Sequence, residues 1–450
     1  MKGLFLSLSV FAVVAACSEN ESRPELEDTA APTYYQDALP IFEQHCLRCH
    51  REGGIGPFRL DDYAEAERHA AAIQDETSNR TMPPFLVTTD GSCGTFAHDP
   101  TLSNAEILKL ANWVEGGALE GTPRDVELPD APSLSGAVAY STPVFSPRIE
   151  GGTLAEYDEY RCFLLDSAVA EQSFITGYEV LPGNPSIVHH VLTMLVDPDA
   201  PAESELAGET NRDRIAALDD ESPDRAGWPC FGLAGEGVEV DAVPVVWAPG
   251  QSVVEYPNQS GIPIRSSHFV VIQVHYNLAS NPPEGVTDQT SVRLRIAPEV
   301  PNLGIFALVD PLLDSLYADS PDTLAPGLPS VKYTWQASVE ELGLSGVPNL
   351  KLYGAMPHMH ERGRSYELTV GTSAANASCA AEIKRWDFHW QHLYFYDEPF
   401  DLTAGSSVQV TCDYDTSNDT EPVLPGWGTR NEMCLAVLYL TVPFADLGGT

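Results

Sequence analysis

Apolar residues recur in three different ways along this chain. After Lys2 there is a largely apolar run from Leu4 to Ala16, with Ser7 and Ser9 inside it. Residues 34–118 carry apolar positions at helical spacing: Asp37 to His45 shows the period and ends on a cysteine motif. Further on, Ser103-Asn104-Ala105-Glu106 is a capping box ahead of Ile107, Leu108, Ala111 and Val114, and Gly116-Gly117 ends that helix. From 119 to 147 Pro123, Pro129, Pro132, Pro143 and Pro147 mark a linker. Beyond it, short β-rich runs alternate with Pro, Gly, Asn and Asp: Ile187 to Val196, Phe269 to Tyr276, Ser291 to Ile296, Leu350 to Gly354, Ser407 to Cys412 and Leu435 to Val442. The pattern predicts a small all-α domain followed by two antiparallel β-sandwich domains, 148–300 and 301–450, with their seam near Pro298–Asn302. A chain of 450 residues is long enough for three such domains.

The first run is too short to span a bilayer and ends in small residues, as a secretory signal does. Val14-Ala15-Ala16-Cys17 looks like a bacterial lipobox, which predicts a signal peptide over 1–16, lipidation of Cys17 and a flexible tether over 17–33. Plain signal cleavage near Ala16 is the alternative. Either way the chain is expected outside the cytoplasm; with the lipid it is a bacterial cell-envelope protein touching the membrane only through its anchor. With 24 basic against 65 acidic residues, net charge −41, little is available to neutralise phosphates, which argues against a nucleic-acid partner. The nine cysteines are an odd number for an exported protein. Setting aside Cys17, Cys46 and Cys49 leaves an even number for disulfides in an oxidising compartment.

Cys46-Leu47-Arg48-Cys49-His50 has the C-x-x-C-H form that takes a c-type haem, with two thioether links and His50 on the iron. A bare C-x-x-C would also suit a redox or zinc site; the adjacent histidine, the exported context and the helical setting favour haem. A soft sixth ligand is expected from a loop, and Met82 in Thr81-Met82-Pro83-Pro84 is the candidate, with His69 and His98 as alternatives. With Pro40-Ile41-Phe42 and Gly56-Pro57-Phe58, the segment 34–118 resembles a class I c-type cytochrome, which implies one covalently bound haem c.

His189, His190, His275, His358, His360 and Met433 divide into two sets of three metal ligands, one all imidazole and the other two imidazoles with a thioether. A thioether suits copper far better than magnesium, calcium or structural zinc. His358 and His360, at i and i+2 of a strand, would share a face. His189 and His190 are neighbours and would point to opposite faces of a regular strand, so joint ligation requires a bulge or a strand end. His275, in Gln273-Val274-His275-Tyr276, supplies the third imidazole, with His268 a weaker competitor.

In order and rough spacing, His189-His190, Gln-Val-His275-Tyr, His358-x-His360 and Glu432-Met433-Cys434 resemble the type II copper monooxygenases, the peptidylglycine α-hydroxylating and dopamine β-monooxygenase family, over residues 145 to 445. The resemblance implies two copper ions in two jelly-roll-like domains facing each other across a solvent-filled cleft. It assigns electron storage to His189, His190 and His275, and oxygen chemistry to His358, His360 and Met433. It also implies the disulfides Cys162–Cys230 and Cys412–Cys434; Cys93 and Cys379 are left either as a bridge between the first and last domains or as two thiols. One departure concerns substrate. The peptide-hydroxylating member holds a substrate carboxylate with an arginine where this chain has Met356, and its assisting asparagine and tyrosine are replaced by Leu435 and Val437. A glycine-extended peptide is therefore not expected as substrate; an uncharged or apolar small molecule is.

The expected activity is a copper-dependent monooxygenase that hydroxylates a C–H bond with O₂. Electrons would come from an external donor through the fused haem and pass first to the His189-His190-His275 copper. Two other classes fit parts of the pattern: an electron-transfer or copper-binding haem protein without hydroxylase activity, and a zinc hydrolase using three histidines.

Overall fold

The computed structural model describes residues 31–128, 133–149, 157–203, 208–251, 253–280 and 282–447. The leader and Cys17 lie outside the described residues.

The helical unit starts with a π-helical turn, Tyr34–Ala38, that runs into α1 (Leu39–His45), followed by α2 (Tyr63–Arg68), α3 (Ala70–Ser78) and α4 (Asn104–Glu115). The Ser103–Glu106 capping box is present in both directions. Leu39, Ile41 and Phe42 pack with Leu110 and Trp113 into a small separate core. The segment 85–97 departs from the helical expectation. Pro83 and Pro84 block helix continuation, and its apolar residues find burial elsewhere: Val87 and Phe96 belong to the core of the second sandwich. This strap is joined to that sandwich by the disulfide Cys93–Cys379.

The strands of the first sandwich are β1 (Ala137–Ser141), β2 (Asp158–Asp166), β3 (Ser173–Leu181), β4 (Val188–Val196), β5 (Trp228–Pro229), β6 (Ala242–Trp247), β7 (Val254–Glu255), β8 (Ser260–Ile264), β9 (Phe269–Asn277) and β10 (Ser291–Ala297), with helix α5 (Asn211–Asp220) between β4 and β5. Strand β1 falls inside the segment read as linker. Paired with β10 along its whole length, it buries Tyr140 in the first sandwich's core.

The second sandwich has β11 (Asn302–Val309), β12 (Val331–Ser338), β13 (Leu350–His358), β14 (Gly363–Gly371), β15 (Ser378–Ile383), β16 (Tyr394–Leu402), β17 (Ser407–Tyr414) and β18 (Leu435–Pro443), with the short helix α6 (Pro311–Asp314) after β11.

These strands form three sheets: β5-β2-β9-β4-β6, β12-β17-β14-β15, and a nine-stranded sheet that runs β1-β10-β3-β8-β11-β18-β13-β16 with β7 on β3. The last crosses the seam. A short parallel pairing of β8 with β11, Ser260 to Asn302 and Gly261 to Leu303, makes one sheet serve both sandwiches. The antiparallel expectation therefore fails at this junction.

Strand β18 explains how the halves meet. Ala436, Leu438 and Leu440 point into the second sandwich, while Tyr439 enters the first sandwich's core. Val437 joins a third apolar cluster with Met356, Met194, Val246 and Val271, between the outer face of the five-stranded sheet and β13–β18. A strand covered on both faces is apolar at nearly every position, which is how Leu435 to Val442 reads.

Candidate metal centres

On β9, Val270, Ile272, Val274 and Tyr276 face the core, which turns His275 outward by simple alternation. Strand β4 pairs with β9, Val188 to Tyr276 and then His190 to His275, with a register shift between them. His189 is the extra residue of that bulge, so the adjacent imidazoles need not oppose each other. One ring nitrogen from each of His189, His190 and His275 falls within 4.8 Å of the other two. His275 Nε2 lies 3.1 Å from Asp158 Oδ1, and Tyr160 stacks on its ring at 4.0 Å. Both nitrogens of His189, Nε2 of His190 and Nδ1 of His275 are buried without a hydrogen-bond partner. Such orphaned acceptors are costly unless a cation takes them. Burial and the neighbouring imidazoles hold His189 and His190 well below the usual histidine range, and so neutral.

The second set lies at the end of β13. His358 is the strand's last residue and His360 stands just past it, their rings 5.1 Å apart. The β13–β18 ladder pairs His358 with Leu435; continued by two residues it sets Met433 opposite His360. Hydrogen bonds hold that segment in place. The His360 N–H donates to Glu432 Oε2 at 3.0 Å, and His360 Nδ1 lies 3.0 Å from the Asn431 carbonyl. The Tyr414 hydroxyl donates to the Met433 carbonyl at 2.7 Å, and the disulfide Cys412–Cys434 ties the next residue to β17. His358 Nδ1 bonds to Gln391 Oε1, and Gln391 Nε2 donates to the Phe388 carbonyl. Each ring thereby has one nitrogen occupied and Nε2 left for a metal. Burial lowers His358 to about 4 and, with the neighbouring His358, lowers His360 to about 3.

Residues 152–282 match the N-terminal domain, and residues 332–443 the C-terminal domain, of the copper type II ascorbate-dependent monooxygenases. The chain belongs to this family. Similar proteins include DBH-like monooxygenase protein 1 of Gallus gallus, 26% identical over 44% of this chain and 33% of that protein. Tyramine beta-hydroxylase of Caenorhabditis briggsae is 22% identical over 58% of this chain and 40% of that protein, and dopamine beta-hydroxylase of Rattus norvegicus 22% over 43% and 31%. The chain thus spans well under half the length of these relatives. Among solved structures, that of allantoicase aligns with 62% of this chain and 77% of that chain at 11% identity, but a TM-score of 0.17 bears no argument.

In this member of the family the two ligand sets do not face each other across an open cleft, as the resemblance implied. The rings of His190 and His358 are 5.4 Å apart, and Phe388 reaches both sets, 4.5 Å from His189 and 6.1 Å from His360. The apolar cluster containing Met356 and Val437 draws the two faces together. The disulfide Cys162–Cys230 is formed as well. Asp158, Gln391 and Phe388 were not singled out by sequence. The density of aromatic and histidine residues from Trp386 to His392 was a usable signal for the last two; nothing in the spacing marks Asp158.

In the helical unit, Cys46 and Cys49 are the two free cysteines among the described residues. His50 Nδ1 lies 3.0 Å from the Phe58 carbonyl, leaving Nε2 for a ligand. Phe58 stacks on His69 at 4.0 Å and stands 4.9 Å from His50. A side chain at Gly56 would meet His50 Nδ1 at 2.7 Å, so glycine there lets the ring sit against the backbone. Met82 follows α3, at the head of the strap. His98 has φ 59° and lies at the strap's far end. His268 is committed to Asp241, 3.2 Å away, and stands outside the His189 set.

Proposed function

We propose that this chain is a copper-dependent monooxygenase that hydroxylates a C–H bond of a small, uncharged or apolar organic molecule. In the balanced reaction O₂, two electrons, two protons and R–H give R–OH and water. The observation that carries the reading is the pair of buried ligand sets, 5.4 Å apart at His190 and His358, one of them beside a methionine. Copper bound there would supply one-electron redox chemistry and oxygen activation. The chain's own part is to keep the imidazoles of His189, His190, His358 and His360 deprotonated by burial, to orient His275 through Asp158 and His358 through Gln391, and to keep bulk water from the space around Phe388. Met356, Val437 and Leu435, at the junction beside His358, carry no charge, which supports an uncharged substrate and speaks against a glycine-extended peptide. Tyramine and dopamine, named in two relatives, set the size class for a first substrate panel.

The helical unit is read as a c-type cytochrome. The two free cysteines, the His50 ring fixed through Nδ1 and the apolar core of Tyr34, Phe42 and Trp113 support a haem held by Cys46, Cys49 and His50, with Met82 as the further ligand. It would pass electrons singly from an external donor. Lipidation at Cys17 would place the enzyme at the bacterial cell envelope.

Metal analysis with oxygen uptake tests the activity: two coppers per chain and substrate-dependent uptake are expected, whereas zinc, or copper without uptake, defeats it. A haem spectrum that vanishes in His50→Ala tests the cytochrome reading. Fatty-acid labelling lost in Cys17→Ser tests the anchor.

A further inference from the structure

We infer that the segment 427–433 couples the two ligand sets, so that metal in the first set favours metal in the second. The Tyr160 hydroxyl and the Thr429 N–H are the positioning groups that carry the effect. This inference rests on the reading of both sets as copper sites.

His360 and Met433 lie just past the sheet that carries their set. The β13–β18 ladder stops at His358 and Leu435, so it fixes neither of them. The residues before Met433 do that instead. The His360 N–H donates to Glu432 Oε2 at 3.0 Å, and the Asn431 carbonyl accepts from His360 Nδ1 at 3.0 Å. Glu432 Oε1 also takes the Arg362 N–H at 2.8 Å.

The other end of the segment is held by the first sandwich. The Tyr160 hydroxyl donates to the Trp427 carbonyl at 3.0 Å, and the Thr429 N–H donates to Asp158 Oδ2 at 3.1 Å. Asp158 and Tyr160 stand two residues apart on β2 and so share a face. Both also touch His275: Asp158 Oδ1 lies 3.1 Å from its Nε2, and Tyr160 stacks on its ring at 4.0 Å. The anchors of the segment are thus the same two side chains that orient a ligand of the first set.

Between its ends the segment is braced across itself. The Asn431 N–H donates to the Gly428 carbonyl at 2.8 Å, the Glu432 N–H to the Leu424 carbonyl at 3.1 Å, and the Gly426 N–H to the Glu432 carbonyl at 3.3 Å. Thr429, Glu432 and Met433 are buried. A loop closed by such bonds moves as a unit, so a constraint applied at Thr429 reaches Asn431 and Met433. Metal that fixes the His275 ring takes freedom from Asp158 and Tyr160, and through them from the segment. The second set then binds with less ordering left to do. By reciprocity, metal in the second set favours the first to the same degree.

The test uses the metal-free full chain, with cuprous ion as probe and a chromophoric chelator as competitor; sulfur scattering in X-ray absorption marks occupancy of the set beside Met433. Tyr160→Phe keeps the ring on His275 and every ligand. It is expected to weaken the second set about fivefold or more, while the first set's constant stays within about twofold. A second measurement leaves Tyr160 unchanged. In His360→Ala, with its copper content measured first and only the first set loaded, the backbone amides of 427–433 should exchange more slowly than in the same variant without metal. Exchange indifferent to that copper overturns the coupling, as does an unchanged second-set constant in Tyr160→Phe or an equal fall at both sets. A parent chain that takes up no copper at either set fails differently, since it removes the copper reading on which the coupling depends.

Discussion

The His190 ring stands 5.4 Å from the His358 ring, although one belongs to the five-stranded sheet of the first sandwich and the other to β13 of the second. Cupric ions held by the two sets would then be expected to couple magnetically. The spin-counted EPR signal of the doubly loaded protein should fall short of its copper content, while His275→Ala should give a full signal per copper. A full signal from the doubly loaded protein would mean that the sets stand apart in solution.

Asp158 governs the first set through His275. Burial pushes its carboxyl up, but hydrogen bonds from His275 and Thr429 hold it below the usual range, so it is an ionised acceptor. Its other oxygen takes the Thr429 N–H at 3.1 Å, across the junction between sandwiches. Asp158→Ala should lower copper affinity at this set by about 10–100-fold, as loss of a group that orients a ligand does. Competition titration against a chelator measures it; an unchanged constant would remove Asp158 from the site.

The bridge Cys93–Cys379 has a sequence separation of 286 residues and fastens the strap to β15. Replacing both cysteines by serine should leave both copper sets loaded but expose residues 85–97 to protease. Time-resolved digestion with peptide mapping reads this directly. Loss of copper on the same time scale would show that the strap supports the metal sites as well.

Asp310 caps α6 and accepts the backbone N–H groups of Leu313 and Cys434. Burial pushes its carboxyl up to about 7, against those hydrogen bonds. A raised folded value means that the folded protein holds a proton which the unfolded chain has already lost. This group's stabilising contribution is therefore complete below the unfolded value near 3.8 and is lost as pH rises to about 7. Asp310→Asn cannot ionise and should gain stability over the parent between pH 5 and 8, on the order of a few kcal/mol. Denaturant unfolding across that range checks the sign; a difference independent of pH would rule out the ionisation.

Strand positions were legible where one face is apolar: β4, β9, β17 and β18 begin within a residue or so of the runs seen in sequence. So were the ligand sets, because imidazole pairs and a methionine beside a cysteine are rare and chemically specific. The bulge at His189 could be required from sequence, since adjacent side chains cannot otherwise converge, but its location depended on pairing with β9. Strand β1 was hidden by the prolines around it, and the strap by its place between helices. Both draw their stability from partners more than a hundred residues away, which local periodicity does not register.

The sequence alone determined the chemistry available: which side chains could hold copper, which cysteines remained for another use, and which charge was missing at Met356. Tertiary structure decided how those groups meet. The contact between His190 and His358, the cluster around Val437 and Met356 that closes the expected cleft, and the Gln391 bond to His358 all arise from long-range packing. Ligand identity is a local property of side chains, whereas the distance between two sites on different sheets is set by the surfaces buried between them.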